Sequence, residues 1–143
     1  MRPIVITILF CLFTKISTVN IPDSAFTPED YECMAELDLK KEQIETFFDD
    51  NYLVILGNPS MDTYSECWIR KMKLLNEKDE FDFFKFNKYV KSDLIDNLGK
   101  RKVENIEQLA FEVVENCKVV QGKNIGDLGS RIYNCVAEGL NNL

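Results

Sequence analysis

Apolar side chains recur at three- and four-residue intervals in six stretches of this chain, which is the spacing that puts them on one face of a helix. The first stretch has Thr27 placed as an N-cap, Pro28 at the first helical position and Glu29 and Asp30 in the first turn. It predicts a helix to about Leu39 with Cys33 inside it. A second helix is expected from Lys41, with Ile44, Phe47 and Phe48 on one face and an end blurred by Asp49-Asp50-Asn51. The apolar run Tyr52-Leu53-Val54-Ile55-Leu56-Gly57 fits a helix continuation, an extended wall segment or a buried strand, and periodicity does not choose among them.

Pro59-Ser60 opens a third helix to about Leu75, in which Met61, Tyr64, Trp68 and Met72 form one stripe beside Cys67. Asn76 to Glu80 reads as a solvated turn. Asp82 is placed to cap a fourth helix whose Phe83, Phe86, Val90, Leu94 and Leu98 keep the helical spacing until Gly99 ends it. A fifth helix is expected from Asn105, with Gln108 at capping-box spacing and Ile106, Leu109, Ala110, Val113, Val114 and Cys117 in register, stopped by Gly122. The sixth starts at Asn124, with Asp127 three residues on and Ile125, Leu128, Ile132, Cys135 and Val136 facing one way. The pattern is therefore all-α, with about six short helices.

The start of the chain reads differently. Arg2 precedes an unbroken apolar run from Ile4 to Phe13, the arrangement of a secretory leader, and residues 1–20 are expected to be removed near Ser17 to Asn20. The run is too short to span a bilayer, and no later segment reaches the roughly 20 apolar residues a membrane helix needs. Residues 21–143 then form a single domain. The formal charge of the whole chain is −7, and removing a leader that carries Arg2 and Lys15 but no acid leaves −9. Such an acidic surface argues against nucleic acid and against insertion into anionic membranes.

Of five cysteines, Cys11 lies in the leader, so Cys33, Cys67, Cys117 and Cys135 would meet an oxidising compartment and form two disulfides. Three pairings are available and spacing alone selects none, although Cys117 and Cys135 both lie on the inward stripes of the last two predicted helices.

Histidine is absent. That removes Ser-His and Cys-His nucleophiles, histidine-ligated zinc and histidine pH switching. Carboxylate pairs such as Asp49-Asp50 and Asp93-Asp96 remain, but none has the ligand order of a calcium loop, and acids in turns are ordinarily solvated. No catalytic residue, metal site or cofactor is expected.

Aromatics are abundant for this length, and the region from Tyr52 to Val90 carries more large apolar side chains than one face of each short helix buries. Most such residues fill cores. The surplus predicts a cavity, with Tyr52, Tyr64, Trp68 and Tyr89 as the better wall candidates because each joins an apolar body to a polar tip. Ile55, Met61, Met72 and Phe86 are expected beside them, the methionines as adaptable filler. Val90, Leu94, Val114 and Ile132 complete the expected ligand-binding set.

Cys67-Trp-Ile-Arg-Lys-Met-Lys-Leu-Leu, followed by an acidic turn and Phe81-Asp82, resembles the third helix, turn and fourth-helix start of insect odorant-binding proteins, and the likeness extends over the whole length. In that family's six-cysteine pattern the second cysteine lies four residues before the third and the fifth nine before the sixth. Thr63 and Gly126 stand at those places here, so both members of one bridge are missing together, as in the four-cysteine subgroup. The resemblance implies the pairing Cys33–Cys67 and Cys117–Cys135. It also implies helices around an apolar cavity that carries odorants, pheromones or similar small hydrophobic molecules through extracellular fluid, without catalysis and without a cofactor. A membrane receptor would be met only indirectly, by a monomer or weak homodimer. The contrasting expectation is a secreted helical interaction protein, cytokine-like or saposin-like, whose apolar face meets a protein or a lipid surface.

Overall fold

The computed structural model describes residues 19–143. The expected leader up to Thr18, with Cys11, lies outside the described residues. The fold is all-helical: α1 (Pro28–Glu36), α2 (Lys41–Glu45), α3 (Pro59–Lys71), α4 (Phe83–Tyr89, continued by a π turn Val90–Leu94 and a closing turn Ile95–Asn97), α5 (Ile106–Asn116) and α6 (Ile125–Asn141). Short 3-10 turns precede α1 (Asp23–Ala25) and follow α5 (Cys117–Val119).

The starts follow from local chemistry. Thr27 and Asp30 form a reciprocal capping box: the Asp30 amide donates to Thr27 Oγ1 and the Thr27 amide to Asp30 Oδ2 at 2.7 Å. Asn58, Asp82 and Asn124 cap α3, α4 and α6 through their side-chain oxygens. Asn105 departs from the expected capping box. It sits in the left-handed region at φ 56° with no side-chain cap, and Gln108 turns away to donate to Glu112 at 3.0 Å.

Several ends fall short of the sequence pattern. α1 stops at Glu36 and α3 at Lys71, each closed by a left-handed residue that is not glycine, Asp38 and Lys73, with Leu39 N–H returning to Met34 and Leu74 N–H to Ile69. α5 gives way to the 3-10 turn at Cys117 and never reaches Gly122. Gly99, at φ 67°, ends α4 as its position predicts. The ambiguous run 52–57 is not helical: Tyr52 takes the left-handed region at φ 60°, Val54 pairs with Phe48 in an isolated bridge, and the chain turns at Leu56-Gly57, with Gly57 at φ 87°. Asn134 of α6 holds Val54 from both sides, accepting from its N–H at 2.7 Å and donating to its carbonyl at 2.9 Å.

Two disulfides join Cys33 of α1 to Cys67 of α3, and Cys117 to Cys135 of α6, each with Cα atoms 5.9 Å apart. They tie α1 to α3 and the end of α5 to α6. Closing loops of 34 and 18 residues, each stabilises the fold by about 3 to 4 kcal/mol in the chain-entropy treatment.

α3 and α6 make the most extensive helix pair. They approach closely because glycines face α3: a Cβ on Gly126 would lie 1.9 Å from the Asp62 carbonyl oxygen, and one on Gly129 2.2 Å from Ile69 Cδ1. The buried apolar side chains form two clusters. One joins the end of α3 to α4, α5 and α6 around Ile69, Phe86, Val90, Val114, Ile132 and Leu140. The other joins α1, α2, the 47–54 segment and the start of α3 around Cys33, Ile44, Phe47, Met61 and Tyr64. Trp68 and Tyr133 pack against both.

Candidate ligand-binding cavity

The two clusters do not merge. Between them lies a cavity of about 240 Å3, walled by Ile44, Val54, Met61 and Tyr64 from one side and Ile69, Phe86 and Leu94 from the other. Trp68 and Tyr133, the two side chains shared by both clusters, form part of the same wall. Phe81, Tyr89 and Leu98 extend it along α4, and Ile21, Pro22 and Phe26 close it from the N-terminal segment. That segment is held in place by the Ile21 N–H, which donates to Glu45 Oε1 at 3.0 Å. The volume lies just under the ~300 Å3 at the lower end of small-molecule pockets, which suits a small guest.

Aromatic contacts set the shape of the wall. Trp68 and Tyr89 meet edge to face with centroids 5.0 Å apart, Phe81 and Phe86 at 5.3 Å, and Phe48 and Tyr133 at 6.1 Å. Polar tips are locked by hydrogen bonds: Tyr64 OH donates to Asp30 Oδ1 at 2.5 Å, Trp68 Nε1 to Thr27 Oγ1 at 3.1 Å, and Tyr133 OH to the Tyr52 carbonyl at 3.0 Å. The residues that cap α1 thereby also fix two side chains of the cavity.

Burial pushes the Asp30 carboxyl above the ordinary carboxylate value, against the opposing pull of the Tyr64 and Thr27 hydrogen bonds. Burial raises the Tyr64 phenol strongly, and the Asp30 charge beside it adds to this. Tyr89 is raised by burial too, and Tyr133 is pushed up to about 12, again by burial. All three remain neutral hydroxyls at physiological pH. The wall can bind and orient an apolar molecule and offers little for bond breaking. Among the described residues no group of three or more His, Cys, Asp or Glu side chains could hold a metal ion.

Seven of the expected wall residues meet at the cavity: Tyr52, Met61, Tyr64, Trp68, Phe86, Tyr89 and Leu94. The other five are placed elsewhere. Val90, Val114 and Ile132 are sealed in the larger cluster, Met72 packs against that cluster from the outside, and Ile55 points half-exposed into solvent with Leu56 beside it. On a helix in a two-cluster fold, an apolar stripe runs from one environment into the next, so shared periodicity does not mean a shared cavity. The wall also contains residues the pattern did not single out: Asp30, Ser65 and Ser130, the N-terminal Ile21, Pro22, Ala25 and Phe26, and Tyr133. For Tyr133 the signal was its place among the aromatics. For the serines there was none.

A family model, the PBP/GOBP family, matches residues 25–139, which covers α1 to α5 and all but the last two residues of α6. The chain belongs to this family, the insect odorant-binding proteins. No curated protein and no solved structure gives a significant match. PBP/GOBP proteins are small secreted binding proteins, not enzymes, and the all-helical fold with two disulfides agrees with membership. No helix among the described residues is long and apolar enough to cross a membrane.

Proposed function

We propose that this protein is a carrier that takes a small hydrophobic molecule, an odorant, a pheromone or a similar apolar compound, into the cavity between its two clusters and transports it through extracellular fluid. The observation that carries the reading is the apolar cavity itself, lined by aromatic rings whose polar tips are tied to the protein. Transfer of a guest from water supplies the affinity: burying about 300 Å2 of apolar surface at ~25 cal/mol per Å2 contributes about 7 kcal/mol before the cost of association. Affinity is then micromolar at best, with broad selectivity. The cytokine-like or saposin-like alternative needs a filled interior and a partner-facing apolar surface, and the unfilled space between α3, α4 and α6 favours the carrier.

The same reading assigns residues 1–20 as a leader removed on secretion, residues 21–143 as the mature domain, and the chain to the four-cysteine subgroup. The subgroup assignment is supported at the place where the third bridge would lie. Gly126 sits directly against the backbone of Asp62, next to Thr63, so a close glycine contact between α3 and α6 stands where six-cysteine relatives would have a covalent link. The decisive experiment is displacement of N-phenyl-1-naphthylamine fluorescence by a chemically varied panel of volatile and lipid-like compounds. Competition in the micromolar range by several of them is expected. Failure of the whole panel at tens of micromolar would end the carrier reading.

A further inference from the structure

Resting on the carrier reading, we propose that the cavity selects small protonated amines, an aromatic ring with a short ammonium-bearing arm, and that the Asp30 carboxylate receives the charge. Asp30 is the one charged residue in the cavity wall, and no Lys or Arg stands with it there among the described residues. It is half-buried, not sealed, and it lines the space directly. The hydrogen bonds it accepts come from neutral donors: Tyr64 OH on Oδ1, and the Thr27 N–H and hydroxyl on Oδ2. Burial raises the carboxyl and the bonds from Tyr64, Thr27 and Trp68 oppose it, with no neighbouring cation acting on it. Oδ1 accepts from Tyr64 alone, which leaves a place for one more donor.

The consequence for selectivity follows from charge and desolvation. A neutral guest that fills the cavity strips water from a carboxylate whose charge nothing in the wall balances, and a guest that is itself a carboxylate meets like charge in an apolar surround. A protonated amine balances that charge and donates to the open place on Oδ1. Its ring then lies among aromatic neighbours: Tyr64 is bonded to Asp30, Trp68 stands against both, and Tyr89 meets Trp68 edge to face. Aromatic rings beside a carboxylate attract an ammonium group by their own quadrupoles as well. A volume of about 240 Å3 has room for one ring and a short arm, and the chain's net charge of −7 draws cations toward it.

The test uses three compact ligands of similar size, 2-phenylethylamine, 2-phenylethanol and phenylacetic acid, competing with N-phenyl-1-naphthylamine at about pH 7 in about 0.3 M NaCl, which screens the surface charges. The proteins are wild type, Asp30→Asn and Glu29→Gln, the last on the same turn of α1 but outside the wall. Wild type is expected to bind the amine about tenfold more tightly than the alcohol, with the acid weakest; Asp30→Asn should bring the amine to within about twofold of the alcohol and leave the alcohol unchanged, and Glu29→Gln should keep the amine's lead. An amine no tighter than the alcohol, an acid as tight as the amine, a lead that survives in Asp30→Asn or one lost equally in Glu29→Gln would overturn the role of Asp30. None of these results touches the carrier reading. Failure of all three ligands while the wider panel competes would overturn the amine proposal alone, and failure of the whole panel would overturn both. Should Asp30→Asn not fold, the ranking on wild type decides: a tenfold lead of the amine supports the proposal, and an amine level with the alcohol refutes it.

Discussion

Replacing Gly126 by alanine puts a methyl group where the Asp62 carbonyl oxygen already sits. On helix propensity alone the change would stabilise α6 by about 1 kcal/mol. The added Cβ, however, would stand 1.9 Å from that oxygen and 2.6 Å from its carbon, and both belong to the backbone of α3, which has no rotamer to change. α6 must therefore retreat by about 1 Å, since real Cβ contacts do not fall below 3.0 Å. The retreat also lifts Gly129 off Ile69 and parts the two helices that share the most contact in the fold. Overpacking of this kind costs about 1 to 3 kcal/mol, and the loosened contacts add to it, so Gly126→Ala is expected to destabilise by about 2 kcal/mol net. For a domain of this size that is a fall of about 8 °C in Tm. Thermal unfolding of the oxidised protein followed by circular dichroism measures it, with Glu138→Ala, at an exposed site on the same helix, as the control. A Gly126→Ala protein that melts at or above the wild-type temperature would refute the close-approach argument.

Three further outcomes follow from the same geometry. Asn134→Ala removes both hydrogen bonds to Val54 and leaves that backbone unpaired, so it should cost about 2 kcal/mol and make the 48–57 segment the first site of limited proteolysis; an unchanged digestion pattern would count against the clamp. Asp127 has its carboxyl held below the ordinary value, first by Arg131 and then by the Lys123 N–H. Its contribution to stability is thus present above the unfolded value near 4 and lost as pH falls through the lower folded value, so the gap between wild type and Asp127→Asn in urea titrations should be full at pH 7 and close at strongly acid pH. A gap that does not change with pH would contradict this. With no histidine in the chain, ligand affinity should change with pH as Asp30 takes its proton. Because burial raises that carboxyl, the change should begin above the ordinary carboxylate value of 3.8, and Asp30→Asn should abolish it. A binding transition that persists unchanged in Asp30→Asn would disprove the assignment.

Helix starts were legible because caps are written in residue identity. Thr27, Asn58, Asp82 and Asn124 each bear the side-chain oxygen a first turn requires, and three of these were read correctly as caps or starts from their neighbours alone. Ends were less legible, since Asp38 and Lys73 take the left-handed conformation without the glycine that usually announces it. Asn105 misled in the opposite sense: it has the right residue type and spacing, but its backbone closes the preceding turn and its side chain is not used. At the cavity, the stripe of α3 gave Met61, Tyr64 and Trp68, all of which face the space. Val90, Val114 and Ile132 were indistinguishable from them by period, because only the separation of the two clusters, a tertiary fact, decides which part of a stripe borders a void. Ser130 gave no signal, as a small polar residue on a helix is ordinarily read as neutral.

Neither bridge is attached to α4. Cys33–Cys67 holds α1 to α3 and Cys117–Cys135 holds the end of α5 to α6, whereas α4 brings Phe86, Tyr89, Leu94 and Leu98 to the wall with no covalent tether and with a π turn interrupting its hydrogen-bond ladder at Val90–Leu94. The wall is thus cross-linked on its α1, α3 and α6 sides, while α2 and α4 are held by packing and hydrogen bonds alone. Of the wall helices without a covalent tether, α4 supplies the most side chains, so its place against the cavity depends on the packing of Phe86, Val90 and Leu94 and not on a bridge.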